Sequence, residues 1–179
     1  QGASGSLTDL QALHDDSSID ISTASISITG TVSKANLTTA NTFTNKTVTV
    51  ADTFSGSYTD MTDIYGVRPT GGSVDGVDIS TAAITLTGTI DKAKASTVNG
   101  YTNKTVTIQT LSDTLSNVTD VYNLKPGEGA VDGVSIAAAA ITATSAVSKD
   151  NADTLNTYTT GQVTLQSVED TYDNLILID

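Results

Sequence analysis

Cysteine is absent from all 179 residues, which removes disulfides, thiolate metal sites and cysteine nucleophiles from consideration. Unpaired thiols are a liability outside the cell, so the absence fits a secreted bacterial protein. Tryptophan is also absent, aromatic residues make up 4% of the chain and only 2 prolines are present. A core must therefore come from small aliphatic side chains stacked in ladders. There is 1 histidine, His14. Serine and threonine are abundant, but no second histidine exists to activate them as nucleophiles. His14 sits beside Asp15 and Asp16 in a segment that reads as an irregular connection, without counterpart elsewhere in the chain, and is expected to be solvated. Adjacent aspartates could do acid–base work only in a cleft that raises one pKa. An enzyme is not expected.

Positive charge is scarce. The 8 Lys and Arg face 20 Asp and Glu, nearly all of them Asp, for a net charge of −12. Such a surface repels nucleic acid and anionic membranes, so neither is an expected partner. No apolar run approaches the about 18 residues that a membrane span requires.

What the chain does contain is one passage written three times. ASISITGTVSKANLTTANTFTNKTVTV (24–50) returns as AAITLTGTIDKAKASTVNGYTNKTVTI (82–108) and, more loosely, as AAITATSAVSKDNADTLNTYTTGQVTL (139–165). Gly30, Gly88 and Ser145 mark offsets of 58 and then 57 residues. A period of this size means that each unit buries its apolar face only against its neighbours.

Each repeat has two halves. In the first, Ile84, Leu86 and Ile90 alternate with Thr85, Thr87 and Thr89, the period of a strand with one face buried. Ala95, Val98 and Tyr101 follow at spacing three, as on one side of a short helix, matched by Leu37, Ala40 and Phe43 and by Ala152, Leu155 and Tyr158. Ser33, Asp91 and Ser148 stand where these helices need N-caps. In the second half, Val106 and Ile108 alternate with threonines, matched by Val48 with Val50 and Val163 with Leu165. Asp113 is expected to cap a helix carrying Leu115, Val118 and Val121. Tyr58, Met61 and Ile64 form the equivalent triad, as do Tyr172, Leu175 and Ile178, and Leu7, Leu10 and Leu13 supply a fourth copy. The chain thus opens in mid-repeat on Gln1, as an excised or processed piece of a longer protein would.

One strand plus one helix takes about 28 residues, within the size range of leucine-rich-type coils, although the LxxLxLxxN signature is missing. Parallel strands joined by helical crossovers wind right-handed. The fold expected is therefore α/β: a right-handed solenoid of stacked strand–helix coils with one parallel β-sheet. A single array spans 1–179, with a partial repeat at about 1–19 and repeats at 20–77, 78–134 and 135–179. Strands are expected at 26–29, 47–50, 84–87, 105–108, 141–143 and 163–165. Phe43, Tyr101 and Tyr158 should form one buried ladder, and Leu10, Met61, Val118 and Leu175 another. GVRPTGGSVDG (66–76) and LKPGEGAVDG (124–133) carry Pro and Gly and read as surface loops, with HDDSS (14–18) as the shorter equivalent.

Thr87-Gly88-Thr89, Thr105-Val106-Thr107-Ile108 and Ser112-Asp113-Thr114-Leu115-Ser116-Asn117 together resemble the long arrays of giant secreted and cell-surface bacterial proteins, among them marine cyanobacterial surface proteins and RTX-type adhesins. That resemblance covers nearly the whole chain. It implies an extracellular, non-catalytic repeat module: a spacer, stalk or surface-layer element whose partners are neighbouring repeats. The apolar ends, Leu7, Leu10 and Leu13 on one side and Leu175 to Ile178 on the other, point to end-to-end self-association.

The alternative is a binding module that grips calcium, a glycan or ice. Asp75 and Asp78 in GGSVDGVD, with Asp132 in EGAVDG, offer hard oxygens beside glycines, and are the calcium candidates. Against them, neither a GGxGxD nonapeptide nor an EF-hand spacing occurs, and isolated Asp-Gly pairs are commonly turn formers. No other cofactor is expected. Thr47-Val-Thr49, Thr85-Leu-Thr87 and Thr105-Val-Thr107 set pairs of hydroxyls on one strand face, like the ranks of ice-binding solenoids. Threonine also suits any solvated strand face, and Gln162 and Ala143 break the ranks. TNKTVT (44–49 and 102–107) is identical in two copies, reads as an exposed set, and becomes TTGQVT in the third.

Overall fold

The computed structural model describes residues 2–171, so the expected triad Tyr172, Leu175 and Ile178, and the apolar C-terminal end, lie outside the described residues. The protein is an α/β structure whose strands pair in parallel and whose described residues include six helices. The chain divides into two compact units, 1–85 with 100–104, and 86–99 with 105–179.

In the first unit, four parallel strands form one ladder in the order β1 (Gly2–Gly5), β2 (Ser25–Ile28), β4 (Thr47–Val50) and β6 (Gly76–Asp78). A second ladder joins β3 (Thr31–Val32) to β5 (Thr53–Ser57). The expectation of one parallel sheet is thus corrected. The chain turns a corner at Gly30 and again at Ala51-Asp52, so each expected strand is followed by another pointing into a separate ladder. The Asp52 carboxylate fastens the first corner by accepting the Gly30 N–H at 2.7 Å. Helices α1 (Leu7–Asp15), α2 (Lys34–Asn41) and α3 (Tyr58–Gly66) each start at a serine, Ser6, Ser33 and Ser57, in a reciprocal capping box with Asp9, Asn36 and Asp60. Helix α2 packs on both α1 and α3. Ile26, Ile28, Val48 and Val50 from the strands meet Leu10, Leu37 and Met61 from the helices in the core.

The division between the units falls within β7 (Ala83–Ile90). In the second unit β8 (Thr105–Asp113) pairs through its first part with β9 (Gly133–Ser135) and through its last part with β10 (Ala140–Val147). Strand β10 in turn pairs with β11 (Val163–Val168). Helices α4 (Lys92–Asn99) and α5 (Leu115–Asn123) pack together, and α6 (Lys149–Asn156) packs on β11. The core includes Ala95, Val98, Val106, Ile108, Val118, Val121, Ile141 and Leu155.

Two local expectations are corrected. Helix α5 is capped by Thr114, not Asp113. Asp113 instead takes the first N–H of α4, from Lys92, at 2.9 Å, and Asp170 does the same for Lys149 at the start of α6, at 2.8 Å. These donors would otherwise be orphans of the helix N-terminus. In addition, Phe43 is buried, but Tyr101 and Tyr158 are only half-buried. Each ring of that expected ladder stacks on a ring from the preceding half-repeat: Phe43 on His14, Tyr101 on Tyr65 and Tyr158 on Tyr122. Leu10, Met61 and Val118 are fully buried, as their register requires.

Candidate functional site

The two Pro/Gly loops, 67–75 and 124–132, are each closed at their base. Val77 N–H donates to the Val67 carbonyl at 3.2 Å, and Val134 N–H to the Leu124 carbonyl at 2.8 Å. Closure brings the chain so near the helix end that only glycine fits. Gly76 and Gly133 have φ of 133° and 137°. A Cβ on Gly133 would stand 2.6 Å from the Leu124 carbonyl oxygen, and one on Gly76 would run into that of Val67. The Asp-Gly pairs therefore mark close backbone approach.

The calcium candidates do different things. Asp75 and Asp132 are exposed in these loops, Asp75 in the first unit and Asp132 in the second. Asp78 lies at the end of β6, where its carboxylate accepts the Ser80 N–H at 2.9 Å in a local turn. Among the described residues no group of three His, Cys, Asp or Glu side chains is placed to hold a metal ion.

The threonine ranks are partly consumed. Thr47 Oγ1 donates to the Val74 carbonyl and Thr105 Oγ1 to that of Val131, both at 2.8 Å, so the first hydroxyl of each TVT pins a loop to its strand. The first threonine of TNKTVT is not exposed as expected. Thr44, Thr102 and Thr159 are buried. Thr102 Oγ1 donates to Ala82 O at 2.6 Å and accepts the Lys104 N–H at 3.1 Å; Thr159 Oγ1 donates to Ala139 O at 2.7 Å and accepts the Gly161 N–H at 2.9 Å. Thr44 bonds Ala24 O and Lys46 N–H in the same way. Its signal in the sequence is persistence: this threonine alone of TNK survives in TTG.

His14 is corrected as well. It lies in the last turn of α1, exposed at its rim, with its ring stacked on Phe43 at 4.5 Å between centroids. It does have counterparts. Tyr65 stacks on Tyr101 at 3.8 Å and Tyr122 on Tyr158 at 3.9 Å. The shorter HDDSS connection hides the register. Each tyrosine pair also carries a cation at i+3, Arg68 over Tyr65 at 3.8 Å and Lys125 over Tyr122 at 4.0 Å. Burial pushes the Tyr101 phenol above its ordinary pKa.

An open groove of about 580 Å³ in the first unit is lined by Ser33, Lys34, Thr38, Thr39, Ser55 and Asp60. Its one cation is engaged: Lys34 pairs with Asp63 and lies 3.9 Å from Asp60. The bond to Asp63 raises the Lys34 pKa, and bonds from Ser57 lower that of Asp60. Both groups are thus held in their ordinary charged forms at neutral pH, opposite to what general acid–base work requires.

No helix among the described residues is long and apolar enough to cross a membrane. Comparison with known proteins found no matching family model, no matching curated protein and no matching solved structure.

Proposed function

We propose that the chain is a structural repeat module, a spacer, stalk or surface-layer element of a large extracellular bacterial protein, and that its coils continue as a right-handed solenoid. The observation that carries this reading is where the recurring polar groups point. Thr44, Thr102 and Thr159, spaced by one repeat, each spend their hydroxyl on carbonyls 20 residues back in the chain. Asp113 and Asp170 spend theirs on the first amide of the helix one coil earlier. These recurring threonines and aspartates thus hold one coil to the next, as a spacer needs, rather than converging on a ligand. Chain order of the ladders supports the same reading, because β1, β2, β4 and β6 pair in sequence with parallel register. Strand β1 pairs only with β2 among the described residues, which leaves an edge suited to a neighbouring repeat or a second copy.

Small-angle scattering with and without calcium tests the proposal. An elongated particle of constant cross-section, unchanged by the ion, is expected. A compact particle, or one that changes shape when calcium is added, would overturn it.

A further inference from the structure

The packing accounts for three of the six positions of TNKTVT; of the other three, the last threonine survives in the third copy as Thr164, and Asn-Lys is the pair that does not. Thr44 and Thr102 are buried rivets, Thr47 and Thr105 pin loops, and Val48 and Val106 are fully buried. Asn45 and Asn103 are exposed. Their backbone N–H groups donate to Ser22 O and Ser80 O, both at 2.8 Å, which any residue but proline could do, and their side chains make no hydrogen bond among the described residues. Among the described residues Lys46 and Lys104 make no ion pair, although Lys34, Lys92, Lys94 and Lys149 all do. Nothing in the fold asks for Asn-Lys, yet it stands unchanged in both copies.

We infer that Asn45 and Asn103 are acceptors for an N-linked glycan. Asn-Lys-Thr has the acceptor spacing, asparagine followed at the second position by a hydroxyl residue with no proline between, and both asparagines stand on surface turns. The other two sequons are occupied by the fold. Asn36 is locked in the capping box of α2, and Asn117 is half-buried with its Nδ2 donating to Asp113 at 2.8 Å. The third copy reads Thr159-Thr160-Gly161-Gln162, has no sequon, and Thr160 Oγ1 bonds Ala137 O at 3.1 Å. In the transfer, a bond forms between the Asn Nδ2 and the anomeric carbon of a sugar, the bond from that carbon to a phosphate oxygen of the activated donor breaks, and the amide loses one proton to a base of the transferase. Because Thr47 and Thr105 bond their loops in the folded chain, transfer takes place on the otherwise folded chain while those loops are open, with Asn36 and Asn117 still held by their helices. The assignment rests on the extracellular reading above, whose scattering test needs no glycan, so the two can fail separately.

The test is secretion of the full chain from a yeast behind a leader peptide, followed by intact mass and by site mapping after enzymatic deglycosylation. One glycan each on Asn45 and Asn103 is expected, with Asn36 and Asn117 bare; N45Q should remove one glycan and N45Q/N103Q both, with the thermal midpoint of the deglycosylated chains unchanged. A second arm incubates the purified chain with a soluble asparagine transferase and a nucleotide-linked hexose. Modification at Asn45 and Asn103 in that arm points to a nucleotide-linked donor, and modification only on secretion to a lipid-linked one; either outcome supports the site. A secreted chain whose Asn45 and Asn103 are bare in both arms, or one modified at Asn36 and Asn117 instead, overturns it.

Discussion

The Thr102 hydroxyl donates to the carbonyl oxygen of Ala82, 20 residues earlier in the chain, at 2.6 Å, and the same bond recurs one repeat away from Thr159 to Ala139. A buried hydroxyl with both a donor and an acceptor role is costly to delete, because its partners are left unsatisfied. Thr102→Val keeps the shape and removes the bonds; it should destabilise the chain by about 1–3 kcal/mol, while Thr102→Ser keeps most of the stability. Urea midpoints of the two variants give the comparison, and equal midpoints would contradict the assignment.

Glycine at the loop closures is the second test. Gly133→Ala puts a methyl group against the Leu124 carbonyl in a backbone conformation with positive φ. Gly30→Ala meets only the backbone penalty, since no atom lies within 4 Å of its Cβ position. The first should cost more than the second, for which about 1–2 kcal/mol is expected. Thermal unfolding of the two single variants decides it; the reverse order would show that the loops do not close as described.

The cation–tyrosine stacks join a helix to the turn after the next helix. Tyr122→Leu should cost about 0.5–1.5 kcal/mol beyond the change in buried area, and Lys125→Ala about 0.5–1 kcal/mol. Because both act on the same ring, the double variant should cost less than the sum. A double-mutant cycle by denaturant unfolding measures this, and strict additivity would argue that lysine and ring do not interact.

Acid should weaken the fold through its helix starts. Hydrogen bonds from the Ser57 side chain and N–H hold Asp60 below its ordinary pKa, and the Lys94 N–H does the same for Asp91. The unfolded chain therefore binds these protons at higher pH than the folded chain. Their stabilisation is complete above the ordinary carboxylate value and is lost as pH falls through the lowered, folded-state values. Urea midpoints should be flat above about pH 5 and fall below about pH 4, more shallowly in Ser57→Ala. A slope that Ser57→Ala leaves unchanged would remove Asp60 from the account.

Much of this was legible in the sequence because repetition supplied its own controls. Alternation of Val48 with Val50, of Val106 with Ile108 and of Ile141 with Ala143 located β4, β8 and β10, and the spacing-three triads located the helices, although Phe43, Tyr101 and Tyr158 fall in the turns just past α2, α4 and α6. What escaped was short or disguised. Strands β3, β6 and β9 are two or three residues long, too short for a period to show. Strand β5 ends in Ser-Gly-Ser, which reads as a turn. Thr44 and Thr102 were hidden by their type, since threonine in a polar run suggests solvent and not a buried bond. The candidate aspartates illustrate the converse: Asp75 and Asp132 share a position in the repeat, but the fixed element there is the following glycine.

Association between copies should depend on salt. With a net charge of −12, repulsion between copies is screened within about 10 Å at 0.1 M salt, so end-to-end contact through the β1 edge should strengthen as salt is added. Sedimentation velocity across a salt series reads this directly; a monomer at every salt concentration would show that the β1 edge is not a docking surface.

The most direct test of the central proposal is to insert a second copy of residues 78–134 after position 134 and measure both chains by small-angle scattering. If the repeats are coils of one continuing array, the longer chain should fold with an unchanged cross-sectional radius and grow along one axis by about 10 Å, two strand spacings of about 4.8 Å. A longer chain that fails to fold, or one whose cross-section widens while its length stays the same, would contradict it.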